Sequence, residues 1–516
     1  MSIVKGKIIK GEYLDSITLM VVTEELNKTK GVIESSVVMG TRENKSILQT
    51  SGLMLKEFEN TTDNDLLVCI KAESEKVATD ILDNIQSVFK KFRNKDDSTD
   101  EYSPKSFEGA LKQMPDANIA LISVAGKYAF HEAMKALNNG LHVMIFSDNV
   151  TIEEEIELKH YASTRNLLVM GPDCGTAIIN GAPLAFANKV NRGNIGIVAA
   201  SGTGLQEVSC IISNEGSGIS QAIGTGGRDV KKEIGGMMFI QAMRMLNNDK
   251  ATEVIALVSK PPHEDVLKKI SDEIKKIKKP IVAIFIGGDA GVLKKSEAIP
   301  ATTLEEAGLI AAALSKGVKY DKIISDLKKK DQTYQEMAAA LSANKTKKQK
   351  YLRGLFSGGT LCDEAQLIFK DTIGYVFSNT PLNKDFLLKD SWKSKGNCVI
   401  DLGEDEFTVG RPHPMIDFSL RKKKILEEAA DSDIAVLLLD VVLGYGSHLD
   451  PAGELVPVIE KALHTSKGLQ IICSVTGTEL DPQNMHDVKQ RLENAGAIVM
   501  NSNAAASRLA AYVIGN

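Results

Sequence analysis

Hydrophobic and polar positions along the chain follow two rhythms, and the change falls near residue 119. Before it, short apolar runs alternate with helical spacing, which predicts a small α+β domain of the ferredoxin-like type over residues 1–100. The predicted strands there are 17–22, 32–39 and 66–70, and the predicted helices are 23–30 and 76–92. The polar stretch 93–106 is expected to be a linker.

After residue 119, nearly continuous apolar strands are separated by helical stretches, which is the pattern of a parallel sheet covered on both faces. The predicted strands are 119–124, 142–146, 167–169, 195–199, 221–223, 254–258 and 281–286, and a further α/β unit runs from 354 to the end. We therefore predict α/β domains over 101–190, 191–318 and 353–516. The lysine-rich stretch 319–352 predicts a solvated helical linker before the last domain.

One phrase occurs twice, at 195–204 and at 352–360. Each copy reads as a short apolar strand that runs into a Ser/Gly/Thr turn and then a helix. The apolar stripes of the two helices are Leu205, Val208, Ile212 and Leu361, Ala365, Ile368. We predict a capping box at the start of each helix, Thr203 with Gln206 and Thr360 with Asp363.

Such turns favour anions, because the free amides of a first helical turn and the positive end of the helix dipole both attract negative charge. The residues predicted to bind phosphate are Ser201, Gly202, Thr203, Gly204, Ser357, Gly358, Gly359 and Thr360. Either copy alone could be only a tight turn, since short glycine motifs are common. Their duplication favours one anion shared by both.

Two more loops follow predicted strands and could reach the same sheet edge, where ligands collect in parallel sheets. The residues predicted to bind substrate are Asp173, Cys174, Gly226, Gly227 and Arg228. The alternative for the glycine loop is an exposed connector. Cys174 has no base nearby in sequence, and a free cysteine in such a loop is more often inert than nucleophilic.

Two prolines stiffen the segment Arg411-Pro412-His413-Pro414 and hold its Arg and His in an extended backbone. A guanidinium presented in this way suits a carboxylate or phosphate, with His413 as a proton donor or hydrogen-bond partner. A rigid connector near the start of a domain is the alternative.

Composition narrows the class of protein. A net charge of -5 argues against nucleic-acid and anionic-membrane partners. The six cysteines show no CxxC spacing, so neither a disulfide framework nor a metal site is expected. The scattered cysteines suit a reducing cytoplasm, so we expect a cytoplasmic protein. We expect no signal peptide, because Lys5, Lys7 and Lys10 interrupt the start, and no membrane span, because no apolar run is long enough.

The segments GPDCGTAI, NIGIVAASGTGLQEV, QAIGTGGRDV and GLFSGGTLCDEA together resemble the succinyl-CoA synthetase superfamily of NDP-forming acyl-CoA synthetases. The resemblance covers about three quarters of the chain. It implies a truncated Rossmann-like CoA-binding-type domain at 101–190 and two flavodoxin-like ligase domains, α-subunit-like at 191–318 and β-subunit-like at 353–516. It also implies that the two helix N-termini face one phosphorylated histidine.

The departures from that pattern change the expected chemistry. The segment that corresponds to the family's phosphohistidine loop, 286–292, contains no histidine. The glycine-rich cofactor loop of the CoA-binding domain and an ATP-grasp domain are also not recognisable. The resemblance therefore implies phosphate as a substrate rather than a covalent carrier, no certain cofactor, and CoA as an improbable ligand of this chain alone.

The RPHPMID segment and the strand end SKPP make the chain similar to the FdrA family. That resemblance implies a subunit of an oxamate carbamoyltransferase in allantoin breakdown, which converts oxalurate and phosphate to oxamate and carbamoyl phosphate with companion subunits in a hetero-oligomer. The residues predicted to act in catalysis are Lys260, Arg411 and His413. The alternatives are an acyl-CoA synthetase that uses a partner's histidine and a non-catalytic scaffold subunit.

Overall fold

A computed structural model describes residues 2–12, 14, 16–93, 104, 106–408 and 412–515. The chain divides into two compact units, Met1–Asn118 with Asp405–Pro412, and Ile119–Glu404 with His413–Asn516. The site described below lies entirely in the second unit.

The first unit is an antiparallel three-stranded sheet in the order β1–β3–β2, with helices packed on it. Its elements are β1 (Ile3–Ile9), α1 (Ser16–Asn27), β2 (Val32–Met39), α2 (Arg42–Thr50), a 3₁₀ turn (Lys56–Phe58), β3 (Leu66–Ala72), α3 (Glu75–Arg93) and α4 (Phe107–Gln113). The central strand β3 is buried almost throughout, so the alternation along this part of the chain forms a small two-layer core.

The prediction of a strand at 17–22 is wrong, because these residues lie in α1. Leu19, Val22 and Leu26 are all buried, and their spacing is that of one helical face. The strand that was missed is β1, in which lysines interrupt the apolar residues. The strands predicted at 32–39 and 66–70 and the helix at 76–92 are confirmed, whereas most of the predicted linker lies outside the described residues.

The second unit begins with a small parallel sheet, β4–β5–β6, followed by a seven-stranded sheet in the order β13–β12–β11–β9–β10–β7–β8. The elements of the small sheet are β4 (Ile119–Ile122), α5 (Gly126–Asn138), β5 (His142–Ile145), α6 (Ile152–Ser163) and β6 (Val169–Met170). Those of the seven-stranded sheet are β7 (Thr176–Ile179), β8 (Ala182–Ala185), β9 (Arg192–Ala200), α7 (Gly202–Asn214), β10 (Ile219–Gly224), α8 (Met237–Asn248), β11 (Val254–Ser259), α9 (Glu264–Ile274), β12 (Ile281–Phe285), α10 (Ala290–Lys295), β13 (Ile299–Pro300) and α11 (Leu304–Ser315).

A connecting helix leads to a six-stranded parallel sheet in the order β15–β16–β14–β17–β18–β19. The elements are α12 (Asp321–Ser342), β14 (Tyr351–Phe356), α13 (Gly359–Thr372), β15 (Phe377–Ser378), a 3₁₀ turn (Lys384–Phe386), β16 (Cys398–Asp401), α14 (Asp405–Thr408, in the first unit), α15 (Ser419–Ala429), β17 (Ile434–Val442), α16 (Pro451–Thr465), β18 (Gln470–Thr476), α17 (Met485–Asn494), β19 (Ile498–Met500) and α18 (Asn503–Gly515).

The predicted strands after residue 119 all have a counterpart, although β6 begins only at Val169, the last residue of the strand predicted at 167–169. The parallel sheets confirm the α/β fold class. Strands β7 and β8 join the seven-stranded sheet through an antiparallel pair with β10, so this sheet extends across the domain boundary predicted at residue 190. Helix α12 is mostly exposed, as predicted for the linker, but Tyr334 and Ala338 are buried against the core.

One hydrophobic core joins the two large sheets through α7, α11, α13 and α18. The predicted stripe of α7 is fully buried in it. In α13, Leu361 and Ala365 are buried, but Ile368 is only partly so and Phe369 is buried instead. Among the described residues, no helix is long and apolar enough to cross a membrane.

Candidate active site

The two copies of the duplicated phrase meet at their helix N-termini. The Ser201 Oγ and Thr360 Oγ1 atoms lie 2.6 Å apart in a hydrogen bond. A Cβ atom on Gly358 would lie 2.9 Å from Cγ2 of Thr203, and one on Gly204 would lie 3.2 Å from Cγ2 of Thr360. Glycine is therefore needed where the two helices approach. We call the first turns of α7 and α13, Ser201–Gly204 and Ser357–Thr360, the cradle.

The start of α7 is capped by Ser201, and the capping box predicted for Thr203 is wrong. Ser201 has extended backbone angles, and its Oγ accepts the Gly204 N–H at 3.0 Å. The Gln206 side chain donates instead to Asn188 Oδ1. The helix begins at Gly202, so Thr203 is already inside the first turn.

The start of α13 is satisfied by a carboxylate that comes from another strand, so the predicted Thr360–Asp363 capping box is also wrong. Asp440, in β17, accepts the Ser357 and Gly358 amides and the Ser357 hydroxyl at 2.8–3.1 Å. Arg421 lies 2.7 Å from Asp440 Oδ1, and both side chains are fully buried. Two amides of the predicted anion site are therefore already occupied by an internal anion.

Other amides of the cradle remain open. In the part of the chain that the structure describes, no acceptor takes the N–H groups of Gly202, Thr203, Gly359 and Thr360. Gly202 is exposed, and Thr203 and Gly359 are partly exposed. An anion can therefore reach amides from both helices without displacing Asp440.

Lys260 supplies a cation beside these amides. It follows β11 in the first large sheet, and its Nζ lies 2.7 Å from Asp363 Oδ2 in α13, so the ion pair links the two halves of the site. Burial alone would lower the pKa of Lys260, but the Asp363 carboxylate outweighs it and the pKa is raised. The ammonium is therefore charged at neutral pH.

Asp401 is a site residue that the sequence reasoning missed. It ends β16, which pairs with β14 so that Asp401 lies opposite Phe356, just before the cradle. Its Oδ1 accepts the Gly403 N–H at 2.9 Å, and its Oδ2 would lie 2.5 Å from a Cβ on Gly359. Burial, reinforced by the charge of Glu404, raises the pKa of Asp401 to about 7. An acidic residue at the carboxyl end of an apolar strand was the available signal.

His413 lies close to the loop after β16, the loop that contains Gly403. Its Nδ1 accepts the Met415 N–H at 3.3 Å, so the proton of the neutral ring is on Nε2. A Cβ on Gly403 would lie 3.0 Å from that Nε2 and 3.1 Å from Asp401 Oδ1. Burial, with the charge of Arg421, lowers the pKa of His413 to about 4. The ring is therefore a neutral donor at pH 7. The predicted catalytic residue Arg411 lies outside the described residues.

The loops predicted to bind substrate pack beside α7. A Cβ on Gly202 would lie 3.5 Å from Thr176 Oγ1, and one on Gly226 would lie 2.5 Å from the Pro172 carbonyl. Cys174 is buried with its Sγ 3.6 Å from the Thr176 carbonyl, and burial raises the pKa of its thiol to about 12. This agrees with the sequence-based preference for an inert cysteine.

The neighbouring predicted residues differ in what they can reach. Asp173 and Gly227 are exposed, and a Cβ on Gly227 would meet nothing within 4 Å. Arg228 is held elsewhere: its Nε lies 2.8 Å from Glu155 Oε2 and its Nη2 donates to the Val150 carbonyl. The Arg228 side chain therefore binds α6 and the residues just before it, and not the cradle.

Two buried glutamates link the part of the chain that carries α7 to the part that carries α13. Each glutamate accepts an amide from a helix of the other part. Glu207 of α7 accepts the amide of Asn503, the first residue of α18, at 3.0 Å. Glu364 of α13 accepts the amide of Leu304, the first residue of α11, at 2.7 Å. Burial raises the pKa of both glutamates, that of Glu364 to about 7. The helices that carry the cradle are thus fixed against each other from both sides.

Three family models match the chain. A model described as CoA-ligase matches residues 355–513, one described as CoA binding domain matches 190–287, and one described as AllF, heavy metal-associated domain matches 1–104. With the two parallel-sheet halves joined at the cradle, these matches define a protein of the CoA-ligase, succinyl-CoA synthetase-like class. The CoA-binding match falls on the stretch that carries α7 rather than on 101–190.

A relative in Escherichia coli (strain K12), YahF, is 42% identical over 502 residues, which cover 96% of each chain. The chain belongs to the FdrA family of this superfamily. The succinate–CoA ligase [ADP-forming] subunit alpha 2 of Archaeoglobus fulgidus is 27% identical over 177 residues, 33% of this chain and 60% of that one.

Among solved structures, the apo dinucleotide-forming acetyl-coenzyme A synthetase 1 of Ca. Korarchaeum cryptofilum is similar over 77% of this chain and 82% of that chain. Its sequence is 16% identical and the TM-score is 0.34.

The expectation of carbamoyltransferase activity is corrected by these comparisons. The CoA-ligase model and the succinate–CoA ligase relative point to acid–thiol ligases, the alternative that the resemblance had left open. The family assignment and the fold class predicted from the sequence are confirmed.

Proposed function

We propose that this chain is a subunit of an acid–thiol ligase of the acyl-CoA synthetase type and that its cradle binds the phosphoryl group of the reaction. The observation that carries the proposal is the 2.6 Å contact between Ser201 Oγ and Thr360 Oγ1, through which helix N-termini from two separate sheets open onto one place. The CoA-ligase and CoA-binding matches cover the two segments that build it.

The chemistry of this class needs such a site. An acid is activated by a phosphoryl group before a thiol attacks the acyl carbon, and phosphate is the group that leaves. Helix N-termini and an ammonium stabilise that negative charge because they are fixed before the reaction begins. Lys260 is the cation that supports this role, and the open amides of Gly202 and Gly359 are the donors.

We also propose that companion subunits complete the enzyme in a cytoplasmic hetero-oligomer. Neither the ATP-grasp domain of the superfamily nor the glycine-rich loop of its CoA-binding domain is recognisable in this sequence. We therefore expect the chain alone to bind inorganic phosphate and not CoA, and the nucleotide and the thiol to be bound with its companions.

Calorimetric titration of the full chain with inorganic phosphate tests the cradle. Ser201→Asp and Gly359→Asp each place a carboxylate at a helix N-terminus of the cradle, so each should weaken phosphate binding by more than tenfold. Thr151→Asp is the matched control, because Thr151 is the exposed N-cap of α6. Equal affinities in all four proteins would contradict the proposal.

The ligase reaction is tested with γ-labelled ATP or GTP, CoA and a panel of carboxylic acids, in the presence of the companion subunits. Acyl-CoA formation that is lost with Gly359→Asp is the expected result. A complete complex that forms acyl-CoA equally well with both cradle variants would show that the reaction occurs elsewhere.

A further inference from the structure

We propose that Asp401 is a catalytic acid–base residue that exchanges a proton with the anion bound in the cradle. This inference rests on the proposed function, because it assigns a role at the same site. No motif marks Asp401, but its position, its hydrogen bonds and the charges around it suit this role.

The position of Asp401 directs one carboxylate oxygen towards the open end of α13. Oδ2 lies so close to Gly359 that a Cβ there would be only 2.5 Å away. Gly359 is the first residue of α13 and carries one of the open amides. An anion held by that amide therefore lies next to Oδ2.

The hydrogen bonds of Asp401 leave this oxygen without a donor. The side chain is 3% exposed, and Oδ1 accepts the Gly403 N–H. Within the described part of the chain, no group donates to Oδ2. The other buried carboxylate at this helix, Asp440, accepts two amides, a hydroxyl and a guanidinium. Both oxygens of Asp440 are therefore satisfied by donors, whereas Asp401 has a buried oxygen that can hold a proton for an anion to accept.

The surroundings of Asp401 also favour the protonated form. The charged and titratable groups that face it are Lys260 from the end of β11, Cys362 and Asp363 from α13, Glu404 from its own loop and His413 from the segment after α14. Lys260 is engaged by Asp363, and His413 is neutral at pH 7. Lys260 opposes the protonated form of Asp401 only in part, so protonated Asp401 can donate its O–H to the bound anion beside the Lys260 ammonium.

In the ligase reaction this proton goes to the leaving phosphate. The thiol sulfur attacks the acyl carbon of an acyl phosphate, a carbon–sulfur bond forms, and the bond from that carbon to the bridging phosphate oxygen breaks. The electron pair stays on the phosphate, whose oxygen takes the Asp401 proton, so hydrogen phosphate leaves. The proton lost by the thiol restores the acid form of Asp401.

Sulfate binding tests the inference without requiring turnover, because sulfate keeps the same charge between pH 5.5 and 8.5. In the unmodified chain we expect its affinity, measured by calorimetry, to be constant below about pH 6.5 and to fall by about tenfold per pH unit well above 7, as Asp401 ionises beside it. Asp401→Asn should bind sulfate with little pH dependence. Asp371→Asn, an exposed aspartate near the C-terminal end of α13, is the matched control and should keep the fall above pH 7.

These measurements distinguish a failure of the Asp401 role from a failure of anion binding in the cradle. If Asp401→Asn keeps the full pH dependence while sulfate still binds, the role of Asp401 is overturned and the cradle stands. If the unmodified chain binds neither sulfate nor phosphate, the proposed function fails first. Should Asp401→Asn not fold, proton uptake by the unmodified chain on binding sulfate at pH 8 decides, since the inference requires uptake approaching one proton and no uptake overturns it.

Discussion

The helices α7 and α13 begin with nearly the same phrase, yet their first turns are completed in opposite ways. The α7 turn is capped by its own Ser201 and opens towards solvent at Gly202. The α13 turn receives the buried Asp440, backed by Arg421, and has Asp401 beside it. The first turn of α7 is thus open and has no carboxylate, whereas the first turn of α13 already has two carboxylates beside it. We therefore expect the two halves of the cradle to contribute unequally to anion binding.

The largest expected effect comes from removing the carboxylate that satisfies the first turn of α13. Asp440→Ala leaves Arg421 buried without its carboxylate and removes the acceptor of the Ser357 and Gly358 amides. We expect the free energy of unfolding to fall by about 3–5 kcal/mol. Ser201→Ala, the corresponding loss on α7, should cost about 1 kcal/mol. Urea unfolding of both variants measures the difference, and similar costs would mean that the two caps are equivalent.

The buried glutamates give the comparison a pH dependence. The folded pKa of Glu364, about 7, lies above its ordinary value of 4.5, so the folded chain holds a proton that the unfolded chain releases. The free energy of unfolding should therefore fall as pH rises from about 4.5 to 7, by up to about 3 kcal/mol from this group, and then level off. Urea titrations at several pH values measure the slope.

Glu364→Gln should remove its part of that slope, and Glu207→Gln, the reciprocal contact on α7, should remove another part. Glu460→Gln, on an exposed position of α16, is the control and should leave the slope unchanged. An unchanged slope in Glu364→Gln would mean that this glutamate is ionised in the folded chain throughout the range.

Alanine at the first residue of each helix sharpens the comparison further. In Gly359→Ala the new Cβ would lie 2.5 Å from Asp401 Oδ2, whereas in Gly202→Ala it would lie 3.5 Å from Thr176 Oγ1, an ordinary contact. We expect Gly359→Ala to cost about 1–3 kcal/mol of stability and Gly202→Ala to be neutral within about 0.5 kcal/mol. Thermal unfolding compares them, and an equal cost would contradict the close approach of Asp401.

The smallest effect concerns the contact between the two turns. A double-mutant cycle of Ser201→Ala and Thr360→Val should give a coupling of about 0.5–1 kcal/mol, because each substitution removes one of the two hydroxyls in the 2.6 Å hydrogen bond. Additive costs in urea unfolding would show that the hydroxyls do not interact in solution. Ser201→Ala with Ser342→Ala, a distant pair, supplies the additive reference.

Much of the fold was predictable because helices and strands follow from the local spacing of apolar residues. The apolar strands after residue 119 and the stripe Leu205, Val208 and Ile212 were predicted and are buried as expected. The strand predicted at 17–22 failed because six apolar-rich residues fit either a strand or one face of a helix. The capping boxes failed for a related reason: a shift of two residues in the cap changes which side chain meets the free amides.

The candidate site was only partly predictable. The cradle was predicted because the strand–turn–helix phrase occurs twice. Lys260 was predicted as a catalytic residue, and the structure places it beside the cradle. Asp401 and Asp440 were missed, since each looks like an ordinary residue of an apolar strand. Arg228 was grouped with the site because its loop lies at the correct sheet edge, although its guanidinium is directed to Glu155.

The sequence by itself determined that this chain has two strand–turn–helix copies with open first turns, because glycine, serine and helical spacing act over a few neighbouring residues. Only the tertiary structure decided that the copies touch and that they differ. Asp440 reaches Ser357 across 83 residues of chain, and Ser201 reaches Thr360 across 159. Such contacts depend on strand order and register, which no local pattern encodes, and the charge of the cradle follows from them.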